Sequence, residues 1–253
     1  MHNKDTMNTS ENFHSEQWND RTVSLIGQAA VDRLARTHVL VVGCGGVGGY
    51  VIEMLVRSGV GALTIIDADT VGESNLNRQL IARCDSIGEP KVDLWLKRCR
   101  SINPECRVRP LREFVSPQSV GELLNYRFDF VADCIDTVAP KVALLSECVR
   151  KHVKVISSMG AGGRVDPAAV RYADLWETAN DGLARAVRTS FKRMGYRPHI
   201  PVVCSSEAPR HSSLIMEHAM SNKRSGYGTL ATIPSMFGIF MASYIIRKLI
   251  QSE

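Results

Sequence analysis

The sequence contains no C-x-x-C pair, so a structural zinc site built from such pairs is not expected. Its seven cysteines, Cys44, Cys84, Cys99, Cys106, Cys134, Cys148 and Cys204, are scattered and odd in number. A disulfide framework is therefore not expected either. Several sit in apolar strand or helix patterns and read as reduced core residues. The N-terminus shows no apolar signal region, and no internal repeat or low-complexity tract is visible. A strong charge excess is also missing: the net charge is +5 over 253 residues, which permits an anionic partner without demanding one. Long uninterrupted apolar runs are absent too. The nearest, Leu230 to Leu249, contains Pro234 and Gly238 and ends in Arg247-Lys248. It reads as a core or dimer-interface helix rather than a membrane span. These absences point to a reducing cytoplasm and no membrane. With 44% hydrophobic residues, the chain can build a full core.

The stretch around which the chain is organised is Val39-Leu40-Val41-Val42-Gly43-Cys44-Gly45-Gly46-Val47-Gly48. Its apolar, mostly β-branched start reads as a buried strand. Gly43, Gly45 and Gly48 stand in G-x-G-x-x-G spacing, and apolar residues from Val47 to Arg57 recur at helical intervals. Strand, glycine turn and helix make a nucleotide-binding unit, in which helix-start N–H groups attract phosphate. The next strand, Leu63 to Ile66, ends in Asp67, an acidic residue placed to hold ribose hydroxyls. The motif by itself does not separate NAD from ATP.

In chain order, 1–16 is polar and reads as a disordered lead-in. Val23 to Leu34 predicts one helix. Lys91 opens an amphipathic helix after Gly88-Glu89-Pro90. Strands are expected near Val108 with Leu111 to Val115, over Phe128 to Asp136, and over Val153 to Ser157, with a helix from Lys141 to Val149. The alternation predicts an α/β fold with a doubly wound, mostly parallel, Rossmann-like sheet. Beyond residue 160 the pattern changes. Short strands near Gly163 to Val165 and Val170 to Ala173 flank Asp166-Pro167. A basic helix follows from Asp181 to Met194, then a strand over Pro201 to Ser206 and a loop over Ala208 to Tyr227. Residues 17–160 read as the ATP-binding region. Residues 161–253 read as a C-terminal extension of short strands and helices within the same domain, for substrate and dimer contacts.

Asp67, Asp69, Asn75, Arg78, Gln79, Lys91 and Asp136 all follow carboxyl ends of expected strands, the edge where open α/β sheets bind ligands. Arg78 and Lys91 offer positive charge to phosphates, Asp136 can bind Mg²⁺ through carboxylate oxygen, and Asn75 and Gln79 add neutral donors. A dehydrogenase has no need of this cationic cluster, so the set favours ATP. The glycines Gly43, Gly45, Gly46 and Gly48 complete it.

These motifs, with Asp67-Ala68-Asp69-Thr70-Val71, Ser74-Asn75-Leu76-Asn77-Arg78-Gln79 and Asp133-Cys134-Ile135-Asp136, resemble the superfamily of ubiquitin-activating-like (ThiF/MoeB-type) adenylyltransferases. The resemblance implies that Asp67 holds ribose, Arg78 and Lys91 hold phosphates, and Asp136 holds magnesium. The implied chemistry is activation of a carboxylate as an acyl-adenylate, with catalytic roles for Arg78, Lys91 and Asp136. Members that activate a ubiquitin-like or sulfur-carrier protein commonly carry two C-x-x-C pairs. Their absence here disfavours that alternative and its sulfur-transfer-type protein partner. Ser157 to Pro167, Val203 to Ala208, Ile102-Asn103-Pro104 and Lys141 are instead similar to the tRNA threonylcarbamoyladenosine dehydratases. That resemblance implies a tRNA substrate whose activated threonyl carboxylate is closed into a ring by a nitrogen of the same modification, a step favoured by high effective concentration. Relatives carry an arginine-rich stretch near the N-terminus that reaches the partner subunit's ATP; here only Arg21 is offered.

Cys204 has two readings, a thioester-forming nucleophile or a strand cysteine shaping the substrate loop. No histidine neighbours it and ring closure needs no covalent step, so the second is preferred. Arg185, Arg188, Lys192, Arg193, Arg197, Arg210, His211, Lys223 and Arg224 cluster late. Arg188, Lys192 and Arg193 are the leading candidates for tRNA phosphates, against the alternative of a solvated helix face.

Overall fold

The computed structural model describes residues 17–210, 214–215 and 226–251. The lead-in 1–16, His211, Lys223 and Arg224 lie outside them. The expected α/β sheet is present. Seven strands stand in the order β3-β2-β1-β4-β5-β7-β6: β1 (His38–Val42), β2 (Ala62–Ile66), β3 (Arg107–Leu111), β4 (Phe130–Asp133), β5 (Val155–Ser158), β6 (Val170–Asp174) and β7 (Pro201–Ser205). All neighbours pair in parallel except β6, which runs antiparallel to β7. The chain reverses direction across the sheet between β1 and β4, the switch point where such sheets open a crevice.

Helices cover both faces, as parallel strands require. The helices are α1 (Asp20–Ile26), α2 (Gln28–Arg36), α3 (Gly48–Arg57), α4 (Lys91–Ile102), α5 (Val120–Leu123), α6 (Val138–Arg150), α7 (Gly182–Arg193) and α8 (Thr232–Ile250). One core joins α2, α3, α4 and α8 to alternate strand residues such as Val39, Val41, Leu63 and Ile65. The other joins α5, α6 and α7 to Leu40, Val42, Val131 and Val202. Alternation along each strand sends successive side chains to opposite cores.

Four local expectations need correction. The helix expected over Val23 to Leu34 is two helices, broken at Gly27, whose φ of 81° and ψ of 155° lie outside the helical region. The third strand stops at Leu111; Val115 is buried but sits in the second core rather than in a ladder. No strand forms over 163–165, because Gly163 turns at φ 76° and Arg164 folds back on the preceding loop. Within the expected loop 208–227, β8 (Leu214–Ile215) pairs with β9 (Gly226–Tyr227).

Among the described residues, α8 is the one helix long and apolar enough to cross a membrane. Ile233, Phe237, Met241, Ala242, Ile245 and Leu249 are instead buried in the first core. Gly238 lets α8 approach the start of α3: a Cβ there would overlap the Val47 carbonyl oxygen and lie 2.6 Å from Cβ of Tyr50. The apolar length of α8 is thus used in packing within the protein.

Candidate nucleotide site

The glycine loop leaves the carboxyl end of β1 and enters α3. Gly43 has φ of 90°, a left-handed conformation that glycine adopts at little cost. A Cβ at Gly48 would overlap the Gly43 carbonyl oxygen, so the first turn of α3 closes against the end of β1 only with glycine there. Trp95 on α4 supports the loop, its indole N–H donating to the Cys44 carbonyl at 3.1 Å.

Asp67, just past β2, ties two loops together. One carboxylate oxygen accepts the Cys44 N–H at 2.7 Å and the other the Asp69 N–H at 2.9 Å. Both loops follow the carboxyl ends of adjacent strands. A carboxylate fixed in this way keeps further lone pairs for hydroxyl donors.

Lys91 opens α4, its side chain 6% exposed, and its ammonium meets the 70% exposed Asp69 at 2.8 Å. The segments carrying them are also joined through the backbone: Lys91 N–H donates to the Asp69 carbonyl and Val71 N–H to that of Glu89. A buried ammonium with one exposed partner has two further protons to offer.

Arg78 and Gln79 stand just past a short 3₁₀ segment, Glu73–Asn75. Gly46 faces Arg78, to whose Cγ a Cβ would come within 3.4 Å, and Gly45 faces the Gln79 amide at 3.5 Å. Arg78 donates to the Ser74 carbonyl at 2.7 Å and the Asn77 Oδ1 at 2.9 Å. Gln79 is buried, and its Oε1 has no hydrogen-bond partner, an acceptor open to a ligand donor in a group that otherwise costs energy to leave unmet. Asn75 uses its side-chain oxygen on the Gly72 N–H at 3.1 Å and so shapes the turn that delivers Arg78. Asp136 is exposed in the loop beyond β4; Cys134, two residues earlier, abuts Gly43. The sequence-predicted nucleotide residues therefore gather along one sheet edge around the glycine loop.

The remaining candidates stand apart from this group. Cys204 on β7 is 1% exposed, in the core with Val202 and Leu175. Burial pushes its thiol pKa up, which disfavours the thiolate a nucleophile needs and leaves the preferred reading, a buried strand cysteine beneath the substrate loop. On α7, Lys192 and Arg193 are exposed. Arg188 is committed differently: its guanidinium donates to the carbonyls of Leu175 at 3.3 Å and Thr178 at 3.0 Å and to the Thr178 hydroxyl. The spacing of Arg185, Arg188 and Lys192 suggested one free cationic face, and Arg188 does not belong to it. Arg21 is exposed on α1.

Two groups whose residues stood among the resembling motifs, but whose buried pairing the sequence reading did not foresee, appear here. Lys141 on α6 and Asp133 at the end of β4 are both fully buried and meet at 2.5 Å. Lys141 also donates to the Ser157 hydroxyl at 3.0 Å and the Ser158 carbonyl at 2.9 Å, and Ser157 donates to Asp133 at 2.6 Å. Arg164 donates to the carbonyls of Gly160, Gly162, Asn180 and Glu207 and pairs with Asp181 at 3.4 Å. It fastens the loop after β5 to the start of α7 and the end of β7. Asp181 caps α7 through the Ala184 N–H at 2.8 Å, a role its position before an apolar-periodic run announces. Nothing comparable announces Arg164. A single lysine inside the apolar run Lys141-Val142-Ala143-Leu144-Leu145 was the available signal for the first group.

Comparisons with known proteins place the fold in a family. Residues 19–253 match the model of the ThiF family. The chain is 34% identical over 233 residues to the tRNA threonylcarbamoyladenosine dehydratase of Bacillus subtilis, covering 89% of this chain and 92% of that one. With the enzyme of the same name from Haemophilus influenzae, identity is 37%, covering 87% and 88%. The crystal structure of the E. coli tRNA N6-threonylcarbamoyladenosine dehydratase, TcdA, in complex with ATP is similar at a TM-score of 0.84 and 34% identity, covering 93% of this chain and 96% of that one. With its glycine loop, Asp67 clasp and Lys91 at one edge of a matching sheet, the chain belongs to the ThiF family.

Proposed function

We propose that this protein is an ATP-dependent tRNA threonylcarbamoyladenosine dehydratase. The observation that carries the reading is likeness to enzymes of that name along nearly the whole chain, joined to a fold shared with an ATP complex and a cationic glycine-loop edge of its own. The threonyl carboxylate of the modified adenosine attacks the α-phosphorus of ATP, and pyrophosphate leaves. A nitrogen of the same modification then attacks the acyl carbon, and AMP leaves with the carboxylate oxygen. The net change in the nucleoside is loss of one water.

In this scheme Asp67 accepts from ribose hydroxyls, and the N–H groups from Gly45 to Gly48 face the phosphates, those of Gly43 and Cys44 being held by the Ile66 carbonyl and Asp67. Lys91 and Arg78 offset charge developing on pyrophosphate, which lowers the barrier because the donors are in place before charge forms. The unmet Gln79 oxygen accepts from the bound nucleotide. Asp136, an exposed carboxylate at the glycine-loop edge, would be the protein's ligand for Mg²⁺ beside the nucleotide phosphates. When bound, the ion neutralises phosphate charge.

The protein works as a cytoplasmic homodimer. The outward side of α8, including Ile239 and part of Phe240, supplies apolar surface for a second copy. A dimeric mass by light scattering is expected at micromolar concentration; a monomer would remove this part. The exposed Arg185, Lys192 and Arg193 of α7 supply charge for tRNA. The reaction is tested by mass spectrometry of nucleosides after incubating protein, ATP and threonylcarbamoylated tRNA. A product lighter by one water is expected, and unchanged nucleosides would reject the reading.

A further inference from the structure

A second cationic region lies at the opposite end of the strands from the glycine loop. A depression there is lined by His38 and Leu63 at the amino ends of β1 and β2, by Arg107 and Arg109 on β3, and by Arg100 at the end of α4. β3 is the outermost strand, and all three guanidiniums are exposed. None of them has a carboxylate within ion-pair distance among the described residues. Positions 107 and 109 point to the same face of the strand, about 7 Å apart. Arg109 lies over the ring of Tyr126 at 4.5 Å, and Tyr126 is 52% exposed.

We propose that this surface, formed by Arg100, Arg107, Arg109 and Tyr126, binds the phosphodiester backbone of the tRNA substrate at a distance from the reacting nucleotide. The proposal rests on the tRNA reading above and adds to it a surface away from α7. Three features favour an RNA strand. The charges are spread along a strand edge and a helix end instead of converging on a point. α4 presents its carboxyl end here, so no helix N-terminus is available to grip a small anion. An exposed aromatic ring backed by a guanidinium offers a stacking plane, the feature by which unpaired RNA bases are held.

The placement suits a long substrate. Arg107 and Leu111 are the ends of β3, about 13 Å apart, and the Leu111 carbonyl accepts the N–H of Asp67 at the nucleotide edge. An RNA whose modified base enters that edge can run its unpaired strand along β3 toward the arginines and Tyr126. His38 keeps its place here as a neutral group. Its ring meets the Thr64 hydroxyl at 2.9 Å, and burial, opposed by Asp129 and reinforced by Arg107 and Arg109, holds its pKa below the usual value. The lasting charge therefore comes from the arginines.

The test uses the full-length protein and an unmodified tRNA transcript, with affinity measured across a salt series. Replacing Arg100, Arg107 and Arg109 together by alanine should weaken binding at least tenfold at low salt. It should flatten the slope of log affinity against log salt by about 2–3, as loss of three phosphate contacts requires. ATP affinity should not change. The matching triple lysine variant keeps the charge and should keep the slope, which separates loss of contact from loss of fold. Tyr126→Ala should weaken binding with the slope unchanged. Wild-type affinity and slope in the triple alanine variant would overturn the proposal. So would competition as strong from polyglutamate, which would mark an acidic protein partner, or from inorganic phosphate, which would mark a single-anion site. A protein that binds tRNA in this arginine-dependent way yet never dehydrates it would remove the reaction and leave the surface standing. A dehydratase whose triple variant binds normally would do the reverse.

Discussion

Two lysine–aspartate pairs stand at the carboxyl edge of the same sheet and behave as opposites. Lys141 and Asp133 are both fully buried, and every proton of the ammonium is taken, by Asp133, Ser157 and the Ser158 carbonyl. Lys91 is almost as hidden, but its partner Asp69 is 70% exposed and takes one proton. A closed pair can only hold structure, because any new partner must first break a bond made in low dielectric. A pair open on one side can exchange its carboxylate for a phosphate at small cost, since the exposed half returns to water. Burial of the lysine therefore does not mark a functional pair. Exposure of its partner does.

The largest effect should come from breaking the closed pair. Lys141→Met or Asp133→Leu alone leaves an uncompensated buried charge and should cost about 3–5 kcal/mol, read as loss of folded protein or a large fall in denaturant midpoint. Replacing both together should recover most of that loss, since apolar residues of similar volume often substitute for buried pairs. If the double variant is as unstable as the singles, the pair contributes more than mutual neutralisation.

Lys91→Ala should show the opposite balance. The chain stays folded, because the loops around Asp69 and Lys91 are held by backbone bonds such as Val71 N–H to the Glu89 carbonyl. ATP-dependent turnover should fall by a factor equivalent to about 1.5–3 kcal/mol, the worth of one charge-assisted contact. Full activity in the purified variant would remove Lys91 from the site. Asp136→Ala should likewise lose turnover without losing fold.

Much of this edge was legible before any coordinates. Apolar runs ending in Gly43 and Asp67 mark strand ends, and the run read as a strand up to Asp136 stops at Asp133; strand ends in alternating α/β sequence share one edge, so Arg78 and Lys91 fall beside the loop by topology alone. What stayed illegible depends on side-chain direction. Helical spacing placed Arg188 with Arg185 and Lys192, but spacing does not show that its guanidinium turns back onto Leu175 and Thr178. The same limit hid Arg164, whose carbonyl partners come from separate stretches of chain. Gly27 could have been read as a break, since glycine inside a helical pattern lowers helix stability.

Ser157→Ala probes the closed pair from inside. The hydroxyl donates to Asp133 and accepts from Lys141, so its removal leaves both charges in place with one bond fewer each. A loss of about 1–3 kcal/mol is expected, below that of the single charge deletions, with ATP affinity unchanged. A loss as large as that of Lys141→Met would show that the serine, and not the charge pair, organises the end of β4.

The smallest effect should come from the exposed half of the open pair. In Asp69→Asn the ammonium of Lys91 loses its carboxylate, but that carboxylate stood mostly in water, where such pairs contribute about 0–1 kcal/mol. The backbone bond from Lys91 N–H to the Asp69 carbonyl remains, and so does the bond from Asp69 N–H to Asp67. Thermal stability should therefore change by less than about 1 kcal/mol. If Asp69 serves to steer Lys91 toward phosphate, turnover should fall by less than it does in Lys91→Ala, because the positive charge is still present and no longer neutralised. A fall as deep as that of Lys91→Ala, with stability intact, would place the Asp69 carboxylate on the nucleotide itself, so that both halves of the open pair touch ATP. A fall in stability as large as that of the buried pair would erase the distinction between the two.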